Sequence, residues 1–451
     1  MGKLSNFRLA LLSATALVAS AAAVSEARAG GFGIREQSAY FLGDEFAGAA
    51  AGGDISSMFW NPAATATLQG FNSSSSYTGI IATGNEHATG GLLSTFGAPS
   101  STDVGTSALV PSSYWTLQLT DQLYAGLALN APFGLITKPD NLWAGSPLAT
   151  TTKVFSLDAN PTLAYKITPT LTVGAGVQIE YFEIKLDHGD AAPAGPAIIP
   201  ARNYQADDVG VGFTAGAIWQ PMAGTSLGLG YRSAVNVNVS GLYSTSGFVV
   251  PPATVFPPAS SIANGKLTLP DEVTFSVRQA ITNQLTLLGT VEWTRWSSVG
   301  TVNATNPYCF LSGPGICENL PLNFRDGWFY SIGAEYAYSP ALTLRTGVGY
   351  EVSPITDATR NILLPDSDRV HLGFGASYKW SDKITFNVAY SHLFFDNMTF
   401  CMAQGTGISY AHCTPANPNT LISGTADTSV DIVSVGVNYK FYGEAPLEPL
   451  K

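Results

Sequence analysis

The chain has 451 residues, a formal net charge of −11 and 12% charged side chains, against about 25% in an ordinary globular domain. An acidic chain without basic clusters excludes nucleic acid as a partner. Beyond the N-terminal segment no apolar run reaches the roughly 18–20 residues of a helical span, so any membrane reading has to rest on strands.

Residues 1–29 read as a secretory signal peptide. Lys3 and Arg8 charge its start, Leu9 to Val24 form an apolar run, and Ala27-Arg28-Ala29 fits a small-residue cleavage site. The mature chain is expected to begin at Gly30, which takes the net charge to about −13. A retained N-terminal anchor is the alternative; the short run and the small-residue exit argue against it. Residues 30–70 are rich in Gly and Ala and lack two-residue alternation. They read as a hatch packed inside or against the strands, carrying Arg35, Glu36, Asp44, Glu45 and Asp54.

From 71 to 441 one theme repeats: a short turn, then an alternating apolar strand. TDQLYAGLALN (120–130), ITPTLTVGAGVQIEY (167–181) and MAGTSLGLGYRS (222–233) show it, as do ITNQLTLLGTVEW (281–293), SPALTLRTGVGY (339–350) and SDKITFNVAY (381–390). Long segments rich in Pro, Ser, Gly, Asn and Thr lie between them, at 82–110, 187–206, 240–266, 299–324 and 395–428. Short turns on one side and long loops on the other are the asymmetry of an outer-membrane barrel. The turn count predicts an all-β fold, a fourteen-stranded antiparallel transmembrane barrel closed so that no backbone group is left unpaired in lipid. A secreted β-sandwich would carry more surface charge. The last strand is expected at Val430 to Phe441, and residues 442–451 are read as a periplasmic tail.

Alternation assigns the faces, because successive side chains point oppositely. Leu227, Leu229, Tyr231, Val235 and Val237 are expected to face lipid, opposite Ser226, Gly228, Gly230 and Arg232. Leu342, Leu344, Val348 and Tyr350 likewise oppose Thr343, Arg345, Gly347 and Gly349. The same parity turns Asp158, Glu180, Asp208, Arg232, Glu272, Arg278, Glu292, Arg325, Glu335, Arg345 and Arg369 inward. Buried charges are expected to pair with each other and with the hatch. Arg232 and Arg345 are the candidates for holding a ligand carboxylate through the bidentate guanidinium fork.

The four cysteines, Cys309, Cys317, Cys401 and Cys413, suit disulfides in an exported chain. The simplest connectivity is Cys309–Cys317 and Cys401–Cys413, with cross-pairing as the alternative; neither spacing fits a zinc site. A hydrolase would need an arranged nucleophile, His and acid. No G-x-S-x-G element is present and the His are scattered: His87, His188 and His412 in predicted loops, His371 and His392 near strand ends. No enzyme activity, cofactor or metal is expected.

Ordered blocks across the mature chain resemble the FadL/TodX-type outer-membrane transporters of long-chain fatty acids and other hydrophobic compounds. They are GFGIREQS (31–38), AAGGDISSMFWNPA (50–63) with Asn61, Pro62 and Ala63 as the family's Asn-Pro-Ala element, NAPFG (130–134), DDVGVGFTAGAIWQP (207–221) and LGYRS (229–233). LPDEVTFSV (269–277), VEWTRWS (291–297) and the run 364–395 continue the series. The resemblance implies a hatched fourteen-stranded barrel with a pocket near Gly30, Gly31 and Phe32. It also implies a kinked third strand opening the wall, here around Asn130, Pro132 and Gly134. The tail YGEAPLEPLK departs from the family, whose members commonly end at the aromatic.

The function so implied is a passive channel in the outer membrane of a Gram-negative bacterium. Extracellular loops capture a hydrophobic molecule, foremost a long-chain fatty acid, which leaves sideways through the wall. Monoaromatic hydrocarbons or alkanes are the alternative cargo, and a general porin the remoter one. Outer-membrane lipids and the barrel assembly machinery are the further expected partners, with the chain as a monomer.

Overall fold

The computed structural model describes residues 30–442 apart from 97, 141–142, 190–200, 251–253, 310–313, 405–409 and 414–418. The expectations for residues 1–29 and for the tail from 443 lie outside the described residues.

Fourteen strands close one antiparallel ring. They are β1 (Phe71–Gly90), β2 (Ser107–Gln118), β3 (Leu123–Asn130), β4 (Thr151–Thr168), β5 (Leu171–His188), β6 (Arg202–Met222) and β7 (Thr225–Arg232). After them come β8 (Glu272–Ala280), β9 (Leu285–Thr294), β10 (Gly327–Ala337), β11 (Leu342–Val352), β12 (Arg369–Lys379), β13 (Ile384–Phe395) and β14 (Thr420–Tyr442). Each pairs with its sequence neighbour, and β1 closes on β14 from Phe71–Tyr442 to Gly90–Ser423.

The outer wall is apolar in a band, with Val211 65%, Ile332 71% and Leu229 52% exposed. Tyr165, Trp219, Tyr336, Tyr338, Tyr378 and Trp380 stand exposed near the short turns, where one aromatic girdle of such a barrel belongs. A continuous apolar belt of this kind is unsuited to water and fits lipid.

Much of what reads as loop is strand. β1 runs to Gly90 and so contains His87, β5 ends on His188, and β14 starts at Thr420. Further strands (Ser240–Thr245, Ala259–Gly265, Thr301–Thr305, Ile316–Pro321 and Met398–Gln404) extend the same sheet. At about 3.4 Å per residue, the 20 residues of β1 greatly exceed an apolar band roughly 25 Å tall. These extensions hold because their inner faces bury a cluster with Leu186, Tyr204, Tyr243, Val302, Trp143 and Leu148 above the bore. The two cysteine pairs, Cys309–Cys317 and Cys401–Cys413, lie in this upper region.

Two face assignments are corrected. Val235 and Val237 do not face lipid: the ladder of β7 ends at Arg232, and they pair with Leu269 and Leu267 in a buried two-stranded ribbon. Arg325 is not luminal but half exposed, paired with Asp368 at 3.3 Å. It precedes β10, so strand parity does not govern it.

Residues 39–66 form one helical turn, Ala39–Leu42, and three 3₁₀ turns, Ala49–Ala51, Ile55–Phe59 and Pro62–Ala66. They lie against inward glycines around the ring. A Cβ on Gly230 would stand 1.8 Å from the Trp60 carbonyl oxygen, and one on Gly228 1.9 Å from that of Ala50. One on Gly347 would stand 2.1 Å from the Asp44 carbonyl oxygen, and one on Gly174 2.4 Å from the Ala63 nitrogen. Inward Gly174, Gly228, Gly230 and Gly347 are therefore among the places where the N-terminal backbone docks.

Candidate functional site

Three features meet above the docked segment: a cavity, a charge chain and a break in the wall. The cavity has a volume of about 50 Å³ and is lined on one side by Gly30, Gly33, Ile34 and Arg35. Phe59, Trp60, Pro132, Phe133, Arg232 and Trp296 are among its other walls. Phe32, outside the lining, packs edge-on against two of the lining rings, Trp296 at 4.8 Å and Phe133 at 6.0 Å. Ligand pockets usually enclose about 300–1,000 Å³, so admission of a lipid-sized molecule requires these rings to move.

The floor is charged. Arg35 Nη2 bonds Glu292 at 2.9 Å and Nη1 bonds Glu351 at 3.2 Å, while its guanidinium lies 3.8 Å over the Phe329 ring. Burial alone would lower the Arg35 pKa; Glu351 and then Glu292 overcome that and hold it above its ordinary value. The neighbouring Glu36 carboxyl is pushed up by burial, which Arg35 only partly offsets.

The two candidate arginines part company. Arg232 lines the cavity, bonds Asp158 Oδ2 at 2.8 Å and the Phe59 carbonyl at 3.2 Å, and stacks over the Phe59 ring. Arg345 lies outside the lining, bonded to Glu335 at 3.0 Å and Ser377 at 2.6 Å beneath Tyr40. Arg345 thus sits in an anchor for the docked segment, which Arg278 and Tyr40 complete by bonding Glu335.

Asn61 is fully buried and serves three backbone groups. Its Oδ1 accepts from the Ala63 N–H at 3.0 Å, capping the turn that starts at Pro62. Its Nδ2 donates to the Ala50 carbonyl at 2.8 Å and to Ala217 of β6 at 2.9 Å. One side chain therefore shapes the segment and ties it to the wall.

The break is in β3. Its ladder runs to Asn130, resumes at Gly134–Thr137, and there, among the described residues, pairs with β4 alone. Across the seam, β2 meets β3 only from Ser113–Leu129 onward; among the described residues its stretch Ser107–Ser112 pairs solely with β1. Pro132 has no N–H to offer a ladder. The N-terminal strip supplies the lost bonds. Gln37 Nε2 donates to the Ala131 carbonyl at 2.7 Å, and its Oε1 accepts from the Ala131 N–H at 3.2 Å and from Asn130 Nδ2 at 3.3 Å. The Ile34 N–H donates to the Pro132 carbonyl at 2.7 Å, and the Gly134 N–H to the Phe32 carbonyl at 2.8 Å. Ala108, Val110, Gly134 and Ile136 line the seam, with Ile34 behind it.

Gln37, Phe133, Trp296, Glu351 and Asp366 escaped the sequence reading as site residues. The first three lie inside the blocks that carry the family resemblance, which was the available signal. Glu351 stands next to last in β11 with inward parity, and Asp366 lies inside the run 364–395 of the same resemblance.

A closed antiparallel ring with short turns at one end, an apolar outer belt and an occupied bore defines an outer-membrane barrel. Residues 20–441 match the family model described as outer membrane protein transport protein (OMPP1/FadL/TodX). The chain belongs to that family of outer-membrane proteins. It is 25% identical over 407 residues to a long-chain fatty acid transport protein of Salmonella typhi, covering 85% of this chain and 92% of that one. It is 27% identical over 462 residues to a 47 kDa outer membrane protein of Pasteurella multocida, covering 98% and 100%. Among solved structures, a Pseudomonas aeruginosa FadL homologue superposes with a TM-score of 0.78 at 21% identity, covering 91% of this chain and 100% of that one. The P. putida toluene transporter TodX gives 0.68 at 17%, covering 92% and 100%.

Proposed function

We propose that the protein is a passive channel for hydrophobic compounds, foremost long-chain fatty acids, released sideways into the bilayer through the seam between β2 and β3. The observation that supports this reading is the broken third strand beside a filled bore: the β2–β3 ladder is interrupted there, and bonds from the strip 30–37 stand in for it. Physical chemistry favours the route. A chain of ~16 carbons gains about 0.8 kcal/mol per buried CH₂, so passing it into water would cost on the order of 10 kcal/mol. Exit through the wall avoids that step.

Fatty acids are put first because aromatic rings and the guanidiniums of Arg35 and Arg232 border the same cavity; Glu272, Glu292 and Glu351 line it too, so a ligand carboxylate has to displace Glu292, Glu351 or Asp158 from those guanidiniums. A carboxylate suits guanidinium forks and a hydrocarbon tail suits rings. Residues 30–70 act as the hatch, with Phe32 and Ile34 as the parts that must move. Uptake of radiolabelled oleate and of labelled toluene by proteoliposomes containing the purified protein tests the reading. Oleate accumulation above empty vesicles is expected; transport of toluene alone would reassign the cargo, and transport of neither would end the proposal.

A further inference from the structure

Gly30 and Gly31 sit at one end of a chain of alternating charges. Glu292 pairs with Arg35, Arg35 with Glu351, Glu351 with Arg369 at 2.6 Å, and Arg369 with Asp366 at 2.9 Å. Their side chains are 11% exposed or less. Three carboxylates thus share two guanidiniums. The other groups packed here do not supply the missing cation. His371 lies between Glu351 and Glu45, at 3.3 Å and 3.5 Å, so its charge answers to a further acid. Arg360 offers only its Nε to the Asp366 carbonyl and spends its charge on Asp357. Glu36 is a further buried acid, with Oε2 lacking any hydrogen-bond partner, and brings no cation.

The surplus negative charge lies beside the first described residues. The Gly31 N–H donates to Asp366 Oδ2 at 3.2 Å. A Cβ on Gly30 would stand 2.1 Å from Glu351 Oε1 and 3.2 Å from Arg369 Nη2. Gly30 is buried, with the Glu351 carboxylate and the Arg369 guanidinium beside it and Asp366 on the next residue.

We propose that the missing cation is the α-ammonium of Gly30, and that it latches the N-terminal strip over the cavity once the leader is removed. The inference rests on reading residues 1–29 as a cleaved leader of a hatched channel. Hydrolysis of the Ala29–Gly30 peptide bond consumes one water. It leaves a carboxylate on Ala29 and, after protonation, an ammonium on Gly30. An uncharged peptide N–H becomes a group with three donors and a full charge, at the place where Glu351 and Asp366 converge. A buried ion chain short of one partner is costly, and completing it removes that cost. Because the strip just downstream carries the bonds that stand in for the broken β3 ladder, the ammonium also holds the seam shut. Maturation therefore sets the latch.

Trace acetylation with acetic anhydride tests this on full-length mature protein in detergent, read by mass spectrometry of the N-terminal tryptic peptide. A free α-amine has a pKa of about 7.7–8.0 and reacts readily near pH 8. The expected result is a peptide beginning at Gly30 whose amine reacts at least roughly tenfold more slowly than in the same protein unfolded, with much of the protection lost in Asp366→Asn. An N-terminus other than Gly30, or equal rates in folded and unfolded protein, overturns the proposal. The unfolded reference keeps the test decisive should Asp366→Asn not assemble. Since labelling is scored without transport, a protected Gly30 in a chain that carries no fatty acid would sink the proposed function and leave the latch standing.

Discussion

At the residue scale, single side chains replace what a regular ladder would supply. Gln37 presents one acceptor and one donor to Ala131, the pair a neighbouring strand would have offered. Asn61 works the same way within the docked segment. Asn61→Ala removes a cap and two buried bonds, a loss on the order of 2–4 kcal/mol borne by the segment and not by the ring. The barrel is expected to keep its heat-dependent gel mobility while oleate uptake falls severalfold; unchanged uptake would deny Asn61 a part in the gate. Glu36 gives a pH prediction. Burial raises its pKa in the folded protein, so its contribution to stability is complete below the ordinary carboxylate range and is lost as pH rises through the raised value. Glu36→Gln should therefore melt higher than the parent near pH 8 and close to it near pH 4. A variant less stable at both would show that Glu36 is held as a carboxylate by Arg35.

At the element scale, the informative unit is β3 with the strip 30–37. A Pro in a strand could simply have ended it at a loop, as the Asn-Ala-Pro-Phe-Gly run allows. The ladder instead resumes at Gly134–Thr137 against β4, leaving the seam toward β2. Ala108 borders that seam from β2. Ala108→Trp should obstruct it, lowering oleate uptake by roughly tenfold; because Ala108 is packed with Ile34 and Val110 beside a cavity of about 20 Å³, the larger ring should also cost about 1–3 kcal/mol of stability. Full uptake by a well-folded Ala108→Trp protein would move the exit elsewhere.

At the scale of the whole molecule, the ring encloses the docked segment, and its proposed role is that of a stopper. Glycines at the inner wall let the two backbones approach, and ion clusters around Glu335 and Glu351 hold the segment in place. In planar bilayers the intact protein should show almost no steady ion current. Deleting Gly30–Ala66 should raise the current at least roughly tenfold, because a polar lumen freed of its stopper fills with water. Steady conductance by the intact protein would favour the porin reading instead.

The period-two pattern and the tight turns determined the strand number, the ring closure and the faces of most strands, because both signals are local: neighbouring side chains alternate and a turn joins adjacent strands. The same locality explains the failures. Val235 and Val237 keep the alternation but leave the wall, and Arg325 sits beyond the strand whose parity was extended to it. The long polar segments read as loops because their strands are stabilised by a cluster assembled from distant residues. Arg232 and Arg345 look equivalent in sequence, and only the packed N-terminal segment separates a cavity wall from an anchor. The mending of β3 by Gln37, across 94 positions of chain, was likewise settled by tertiary structure alone, because a bond between residues so far apart leaves no trace in the local pattern of either.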